Sequence, residues 1–381
     1  MNIRPFSLER YFARYEFGAR HLLSASDCDG PSLPQLLALA DDECRTRWAN
    51  LSLGYTESAG LPALRDEIAT LYGSGSPGCS LTPEQVLTVV PEEGVLLIML
   101  ALVRPGDRVI CTYPGYQSLY EVASALGAEV VPWTPREEQA WEFSPEDLAA
   151  LLQAGARLVV CNFPHNPTGS LPDGDDFRRM VEMSEEAGAF VFSDEMYRWL
   201  DLPGHDTLPS AVELSAHAVA LGGLSKSFGL AGLRTGWLAA RSEEVLTACT
   251  RLKDYTTICA AAPSEILALV ALRARNTLLS THRKRVAANA VLLGEFAATH
   301  PQLFSLTPPA GGTVCFPRLL RPEGAEAFCA RLVRESGVMM LPSTVYEYGD
   351  AHVRLGLGRS DFPQALQELA RFLSLEASAA P

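Results

Sequence analysis

The sequence has little positive charge and no closely paired cysteines. Lysine and arginine number 31 against 45 aspartates and glutamates, and the formal net charge at pH 7 is -14. This balance disfavours a nucleic-acid partner and leaves no basic patch for an anionic membrane surface. The nine cysteines are scattered without a CxxC pair, so we expect neither a disulfide framework nor a bound metal.

Long apolar runs are also lacking. The longest, Gly94 to Val103, is too short to span a bilayer, and the opening MNIRPFSLERYF lacks the apolar core of a signal peptide. We therefore expect a cytoplasmic protein with reduced thiols and no membrane partner. With 381 residues, of which 48% are hydrophobic and 20% charged, the chain is long enough to bury a large core.

Beyond Pro83, short apolar segments alternate with helical ones at the spacing of βαβ units. Helices are predicted near residues 94–103, 116–126, 145–154 and 174–187. The predicted strands are Val86–Val90, Arg108–Thr112, Glu129–Trp133, Arg157–Cys161, Ala189–Ser193, Ala216–Leu221 and Gly236–Ala240. Because these strands show few polar alternations, they indicate an α/β fold with a mainly parallel sheet covered on both faces. Ligands of such folds bind beyond the carboxyl ends of the strands.

The two ends of the chain differ from this pattern. Residues 1–40 show no clean periodicity and are interpreted as an N-terminal arm. Residues 41–275 are predicted to form the large domain. Residues 276–381 combine long helices with short strands, which is typical of a smaller α+β domain that the arm would join.

Polar side chains follow several of the predicted strands. NFPHNPTG comes after the strand ending at Cys161, and its prolines fix a turn whose Asn162 and Asn166 can point amide groups into a cleft. SDEMYR places Asp194 and Tyr197 at the next strand end, where a buried carboxylate needs a cationic partner. Alone, NFPHNPTG is more typical of an ordinary turn.

A Gly- and Ser-rich stretch, LGGLSKSFGLAGLRTGW, carries Lys226 and Arg234. A lysine in a tight loop of small residues is well placed to be buried, to lose its proton and to form a Schiff base with an aldehyde. HVRLGLG adds Arg354 on a short apolar strand. Taken singly, the lysine fits an ordinary solvated residue and Arg354 a structural salt bridge. Their order and spacing together favour a site.

In this order, the motifs resemble those of the class I/II aminotransferases, which are fold-type I pyridoxal-phosphate (PLP) enzymes. NPTG, SDExY, SK with GLRxGW and HVRLxxG are preceded here by GYTESAGLPALR and PGYQSLY, so that the resemblance covers residues 45–375. It implies a three-layer αβα large domain with a mainly parallel seven-stranded sheet and a smaller α+β domain. It also implies a PLP cofactor and a homodimer with shared active sites.

The resemblance implies roles for the matching residues at the cofactor ring. Lys226 would hold PLP covalently and then carry the substrate's α-proton. Asp194 would pair with the pyridine nitrogen and keep it protonated. Asn166 and Tyr197 would hydrogen-bond the phenolic oxygen of the ring, and Tyr116 would stack on its face.

The same resemblance assigns residues to the phosphate and the substrate. Arg234 would clamp the phosphate, and Tyr55 would reach the phosphate of the neighbouring subunit. Arg354, beside Asn166, would grip the substrate's α-carboxylate with its bidentate fork.

Two positions depart from the family pattern. VPEEGV replaces the usual small phosphate turn, so the backbone amides of Glu92, Glu93 and Gly94 would face the phosphate while the acidic side chains turn away. Gly223 stands where a serine is common, and Ser225 could substitute for its hydrogen bond to the phosphate.

The arm carries the acidic residues Glu16, Asp27 and Asp29. On a lid over the substrate they would suit a cationic side chain such as a guanidinium. In an acidic protein they fit a solvated loop equally well.

The arm, VVPEEGV and YPGYQSLYE are most similar to the capreomycidine synthases and related arginine-cyclising enzymes of the family. This resemblance implies that the protein dehydrates and cyclises a β-hydroxyarginine in antibiotic biosynthesis. Transfer of an amino group from an amino acid to a 2-oxo acid is the alternative. A DNA-binding regulator is disfavoured because the sequence shows no basic N-terminal helix-turn-helix, and a nicotinamide enzyme because no GxGxxG follows the first strand.

Overall fold

A computed structural model of the chain describes residues 2–73 and 80–379. Within those residues its central element is a seven-stranded sheet. From edge to edge the strands are Val86–Val89, Gly236–Ala240, Ala218–Gly223, Phe190–Asp194, Leu158–Asn162, Arg108–Thr112 and Glu129–Trp133. Gly236–Ala240 runs antiparallel to both neighbours, and the other four pairings are parallel. The predicted mainly parallel sheet is confirmed.

Helices cover both faces of the sheet, because its inner strands are apolar on both sides. Leu158–Asn162 and Ala218–Gly223 are buried along their whole length. The helices on one face are Pro91–Leu102, Ser118–Ala125 and Glu243–Lys253. Those on the other are Leu33–Ala38, Asp42–Ala49, Pro62–Ala69, Pro145–Leu152, Gly174–Glu186, Ala211–Leu214 and Ala262–Arg273. The predicted three-layer αβα arrangement is confirmed.

The VPEEGV turn lies directly after the strand Val86–Val89. Helix Pro91–Leu102 begins at Pro91, three residues earlier than predicted, because proline is favoured at the first helical position. The carboxylate of Glu93 accepts a hydrogen bond from the backbone N–H of Val90 at 3.2 Å. The first turn of this helix therefore starts at the same sheet edge as the polar strand ends.

A second group of elements packs around its own apolar core. Its helices are Arg275–Thr299, Ala325–Ser336 and Phe362–Ala379. Val353–Gly356 lies antiparallel between Val314–Cys315 and Leu341–Pro342, and Phe304–Ser305 pairs with Arg318–Leu319. This is the α+β part of the fold. The domain boundaries at residues 40 and 275 stay predictions.

The N-terminal residues contain a helix that the sequence analysis missed. Ser7–Tyr15 is helical, so the prediction that residues 1–40 lack periodicity was wrong here. Its Leu8 belongs to an apolar cluster that includes Trp141, Phe316 and Tyr346, and packing within this cluster of distant residues holds the helix in place. Farther along, His21–Leu22 pairs in parallel with Val338–Met339. Short 3-10 turns complete the described elements: Glu16–Gly18, Pro83–Gln85, Glu137–Gln139, Ala231–Leu233 and Ser343–Tyr346.

The eight cysteines in the described part of the chain are free thiols, and Cys259 is the most accessible of them. Cys79 lies outside the described residues. Among the helices described, none combines the length and apolar character needed to cross a membrane.

Candidate active site

Most of the predicted site residues gather around a cavity of about 360 Å³ at the carboxyl ends of the parallel strands. Those that line it are Glu16, Asp27, Glu92, Tyr116, Asn166, Asp194, Tyr197, Ser225, Lys226, Arg234 and Arg354. Three predicted residues, Asp29, Tyr55 and Glu93, are not part of its lining.

Lys226 follows the strand Ala218–Gly223 in a tight loop. Its Nζ donates a hydrogen bond to the hydroxyl of Ser26 at 3.0 Å. The Ser227 hydroxyl donates a hydrogen bond to the carbonyl of Arg198 at 2.7 Å, which ties the loop to a neighbouring segment. Burial lowers the pKa of Lys226, so more of its amine is neutral at pH 7 than for an exposed lysine. A neutral amine can attack an aldehyde carbon and can accept a proton.

Asp194 ends the strand Phe190–Asp194 and is 7% exposed. Its carboxylate accepts a hydrogen bond from the backbone N–H of Met196 at 3.1 Å. Burial raises the pKa of Asp194 to about 7. A cationic group in the cavity would favour the ionised carboxylate and lower this pKa.

Asn162 does not point its amide into the cavity, so that prediction was wrong. Its Nδ2 donates to the carbonyl of Asp194 at 3.0 Å, and its Oδ1 accepts from the backbone N–H of Asn166 at 2.8 Å. The side chain is used to hold two neighbouring strand ends together, which leaves Asn166 to face the cavity.

Arg354 is 1% exposed, and its hydrogen bonds go to neutral oxygen atoms. Nη1 donates to Asn166 Oδ1 at 3.2 Å and to the hydroxyl of Tyr346 at 2.7 Å, while Nη2 donates to the carbonyl of Ser24 at 2.7 Å. A buried guanidinium with neutral partners gains most from an anion, and a carboxylate matches its planar fork. Arg354 is therefore placed to bind a carboxylate in the cavity.

Tyr197 and Tyr116 contribute neutral hydroxyl groups. Tyr197 is buried, and this raises its pKa to about 12, so that its hydroxyl stays protonated near pH 7. The hydroxyl of Tyr116 donates to Glu9 Oε1 at 3.1 Å, and its ring lies 5.0 Å from that of Phe6. Tyr197 can therefore donate a hydrogen bond without adding charge, whereas the single O–H of Tyr116 is already donated to Glu9.

Another part of the cavity offers hydrogen-bond donors that could bind an anion. Arg234 lines it and is exposed, and the backbone of this residue is left-handed, with φ of 53°. Nearby, the Ser225 hydroxyl is buried and has no hydrogen-bond partner among residues 2–73 and 80–379. The first turn of helix Pro91–Leu102 adds backbone N–H groups.

The two acidic side chains of VPEEGV behave differently. The Glu93 carboxylate turns away from the cavity and accepts hydrogen bonds from Thr256 and Thr257, as predicted. Glu92 lines the cavity instead, so the prediction that it also turns away was wrong. Burial raises the pKa of Glu92, which favours a neutral carboxyl there.

A steric contact explains why position 223 is occupied by glycine. A Cβ atom at this position would lie 2.8 Å from both Cε and Sδ of Met196, closer than side chains approach one another. The serine that is common here in the resembling enzymes would not fit without a shift of Met196.

The acidic residues of the arm are not equally available. Arg359 Nη2 donates to both carboxylate oxygens of Asp27, and Nη1 donates to Asp29 Oδ1. Asp29 is thereby held outside the lining, which contradicts its predicted place beside a substrate. Glu16 lines the cavity, where burial and the nearby Asp27 carboxylate raise its pKa.

Several lining residues escaped the sequence analysis, namely Glu9, Phe12, Ser26 and Arg359. Glu9 and Phe12 lie on the missed helix, and a helical interpretation of SLERYFARY would have found them. Ser26 and Arg359 carry no local signal, because folding brings them to the site from distant parts of the chain.

Tyr55 lies away from the cavity, with 92% of its surface exposed. It borders a surface depression together with Leu53 and Cys259. Tyr255 and Ile258, which precede this cysteine, are 91% and 50% exposed. The loop that carries Tyr55 is therefore part of an exposed apolar surface.

Comparison with known proteins gives a consistent result. A family model described as aminotransferase class I and II matches residues 22–372. The capreomycidine synthase of Streptomyces vinaceus is 30% identical over 75% of this chain and 73% of its own length. The arginine–pyruvate transaminase of Pseudomonas aeruginosa is 30% identical over 96% of this chain and 92% of that protein. A PLP-dependent aminotransferase from Streptococcus suis has the same fold, with a TM-score of 0.90 and 30% identity over 98% of both chains.

The cavity offers what PLP requires: a lysine amine for its aldehyde, a carboxylate for its ring nitrogen and several donors for its phosphate. The Ser225 hydroxyl, which has no hydrogen-bond partner among the described residues, and the buried carboxylate of Asp194, which accepts from the backbone N–H of Met196, fit such a ligand. The chain therefore belongs to the aminotransferase class I and II family and is a PLP-dependent enzyme.

Proposed function

We propose that this protein acts on an arginine-like amino acid, and that it dehydrates and cyclises a β-hydroxyarginine to a capreomycidine-type cyclic guanidino amino acid in antibiotic biosynthesis. The observation that carries the substrate class is an excess of carboxylates from the arm. Glu9, Glu16 and Asp27 line the cavity, and Arg359 faces them as the counterion. A substrate guanidinium would offset the remaining negative charge.

The cofactor would be held by residues at the strand ends. Lys226 would carry the covalent link, and Asp194 would pair with the ring nitrogen. Arg234, Ser225 and the start of helix Pro91–Leu102 would bind the phosphate. When bound, PLP draws electron density from the substrate's α-carbon and makes the proton there acidic.

The protein's own residues would then manage protons. The amine of Lys226 would take the α-proton and return a proton to the same carbon, a role that its lowered pKa supports. Tyr197 would remain a neutral donor, because its pKa of about 12 keeps the hydroxyl protonated. Asp194 would be ionised once a cationic nitrogen lies beside it.

Three charged groups would orient the substrate. The buried fork of Arg354 would bind the α-carboxylate, with Asn166 fixing the guanidinium through its Oδ1. Glu9 and Glu16 would bind the distal guanidinium. Holding both ends of the substrate would place its α-carbon at the amine of Lys226.

The cyclisation balances as the loss of one water. The Cα–H and Cβ–OH bonds break, and hydroxide leaves with a proton as water. A guanidino nitrogen then forms a bond to Cβ and gives up its own proton, while Cα regains one. No 2-oxo acid is consumed.

A second candidate is an aminotransferase that uses arginine. It is supported by the match to an arginine–pyruvate transaminase, which extends over 96% of this chain. The match to a capreomycidine synthase, which extends over 75% of this chain, supports the cyclase instead. The two candidates share the substrate's guanidinium and differ in whether a 2-oxo acid is required.

The test of the substrate class compares L-arginine with L-citrulline, its uncharged near-isostere. We expect the native enzyme to bind arginine more tightly, as measured by spectral titration of the cofactor band. Replacing both acids, Glu9→Gln with Glu16→Gln, is expected to weaken arginine binding about tenfold or more and to leave citrulline within a factor of about two. Glu138→Gln, an exposed glutamate outside the cavity, serves as the control. Equal losses for both ligands would refute a guanidinium subsite.

We also infer that two copies of the chain form a homodimer with shared sites. The exposed Leu53, Tyr55, Tyr255 and Ile258 form an apolar surface that a second copy would cover. Tyr55 would then reach the phosphate site of the partner.

A further inference from the structure

We propose that Ser26 is a positioning residue for the lysine amine. Its hydroxyl would hold Lys226 Nζ in the direction from which the amine exchanges a proton with the substrate's α-carbon. This inference goes beyond the proposed substrate, because it applies to any amino acid whose α-proton is taken by Lys226.

The contact between the two residues is direct. Lys226 Nζ donates to Ser26 Oγ at 3.0 Å, and both residues line the cavity. A hydroxyl is a neutral acceptor, so it directs the amine without the strong stabilisation of the ammonium form that a carboxylate would give. The adjacent carboxylate, Asp27, is instead engaged by Arg359. The pairing therefore suits an amine that must remain a base.

The Ser26 backbone is held firmly. Its carbonyl accepts a hydrogen bond from the Thr313 hydroxyl at 2.7 Å. The segment also packs closely on two glycines: a Cβ at Gly356 would lie 1.7 Å from the Ala25 carbonyl oxygen, and one at Gly358 would lie 2.2 Å from that of Asp27. No other residue type leaves room for this backbone contact.

The same packing joins Ser26 to the carboxylate-binding arginine. Gly356 ends the strand Val353–Gly356, which carries Arg354. The guanidinium of Arg354 donates to the carbonyl of Ser24, two residues before Ser26. One rigid segment thus contacts both the group that would grip the substrate and the amine that would take its proton. A fixed distance between these two groups is what proton transfer requires.

Several charged groups surround the amine of Lys226 and affect its pKa. Asp27, Glu9 and Asp194 favour its protonated form, and Arg354 opposes it. Glu16 and Glu92 lie near enough for Lys226 to affect their own pKa values. Tyr197 is a further titratable group at this position, because Ser26 hydrogen-bonds its hydroxyl and this contact opposes the raised pKa of Tyr197. The charged side chains are unchanged in Ser26→Ala, so a difference between variants reports the loss of the Ser26 hydroxyl and of its contacts with Lys226 and Tyr197.

The test uses two readouts. The first is exchange of the α-proton for deuterium in D2O, followed by NMR with the holoenzyme and L-arginine. The second is the pH dependence of the rate at which cofactor-free protein captures PLP, which needs the neutral amine. We expect Ser26→Ala to slow exchange about tenfold and to move the capture midpoint to lower pH, because the ammonium loses an acceptor. Ser26→Thr, which keeps the hydroxyl, is expected to restore both.

Two further variants separate positioning from general damage. Ser7→Ala removes another hydroxyl of the N-terminal arm, outside the cavity lining, and is expected to match the native protein. Thr313→Val loosens the Ser26 backbone and is expected to slow exchange about threefold without moving the capture midpoint. Native values for Ser26→Ala in both readouts would overturn the inference, and so would an equal loss in Ser26→Thr. If native enzyme exchanges another amino acid but not arginine, the proposed substrate fails, and Ser26 is tested with that amino acid.

Discussion

Arg359 donates from Nη2 to both carboxylate oxygens of Asp27, at 3.0 and 3.2 Å. Because this contact engages Asp27, it leaves Glu9 and Glu16 as the carboxylates of the arm that are available to a ligand. It also makes Arg359 the counterion that limits the negative charge of the cavity. For the proposed arginine-like substrate, selectivity for a cationic side chain would be a balance between these groups.

Arg359→Gln should shift that balance. With this guanidinium removed, Asp27 adds its charge to the cavity, and we expect the preference for arginine over citrulline to rise roughly threefold. Spectral titration with both ligands measures the ratio. Arg371→Gln, which alters an exposed pair on the last helix, is the control. A preference that stays the same or falls would contradict this role of Arg359.

Asp194 should make the stability of the cofactor-free protein depend on pH. Because burial raises its pKa to about 7, the folded state holds this proton more tightly than the unfolded state, and stability falls as pH rises from about 4 to about 7. Asp194→Asn removes this dependence. As pH rises over that range, we expect the free energy of unfolding of the variant minus that of the native protein to increase by on the order of 4 kcal/mol.

Denaturant unfolding at several pH values measures this difference. Glu92 and Glu195, whose pKa values burial also raises, are present in both proteins, so the effect of their burial cancels in the comparison. Their repulsion with Asp194 is lost in the variant and is part of the measured difference. Parallel pH curves for the two proteins would show that Asp194 is ionised in the cofactor-free fold.

The steric account of Gly223 gives a stability prediction. We expect Gly223→Ser to lower the free energy of unfolding by about 1 kcal/mol, because its Cβ would force the flexible end of the buried Met196 side chain to move. Combining it with Met196→Ala should relieve the clash and recover part of the difference. Gly232→Ser is the matched control, since no atom lies within 4 Å of a Cβ there. If Gly223→Ser unfolds like this control, the clash is not what excludes serine.

Shared active sites can be tested by mixing two defective chains. Lys226→Ala lacks the amine, and Tyr55→Phe would lack a phosphate contact in its partner's site. A mixed dimer would then contain one site with both residues intact. We expect mixing after partial unfolding to restore a native-affinity visible cofactor band that neither parent shows. A mixture that equals the sum of its parents would argue against Tyr55 acting across a dimer.

The sequence predicted the sheet and the strand-end residues because their signals are local. Asp194 and Lys226 sit where apolar strands give way to polar or small residues, and that change is visible in a few positions. Ser26 and Arg359 could not be found this way. Ser26 meets Lys226 across 200 positions, and Asp27 meets Arg359 across 332. Helix Ser7–Tyr15 was missed for a related reason, since its buried Leu8 joins an apolar cluster with residues far along the chain, such as Trp141 and Phe316.

Cyclisation and transamination are distinguished by mass spectrometry of the products that the purified holoenzyme forms from β-hydroxyarginine, with and without pyruvate. For a cyclase we expect a cyclic product one water lighter than the substrate, formed at the same rate in both reactions. A 2-oxo acid product that appears only when pyruvate is present would contradict the cyclase and establish the aminotransferase. If the enzyme turns over uncharged amino acids but neither β-hydroxyarginine nor arginine, that result would contradict the guanidinium subsite at Glu9 and Glu16.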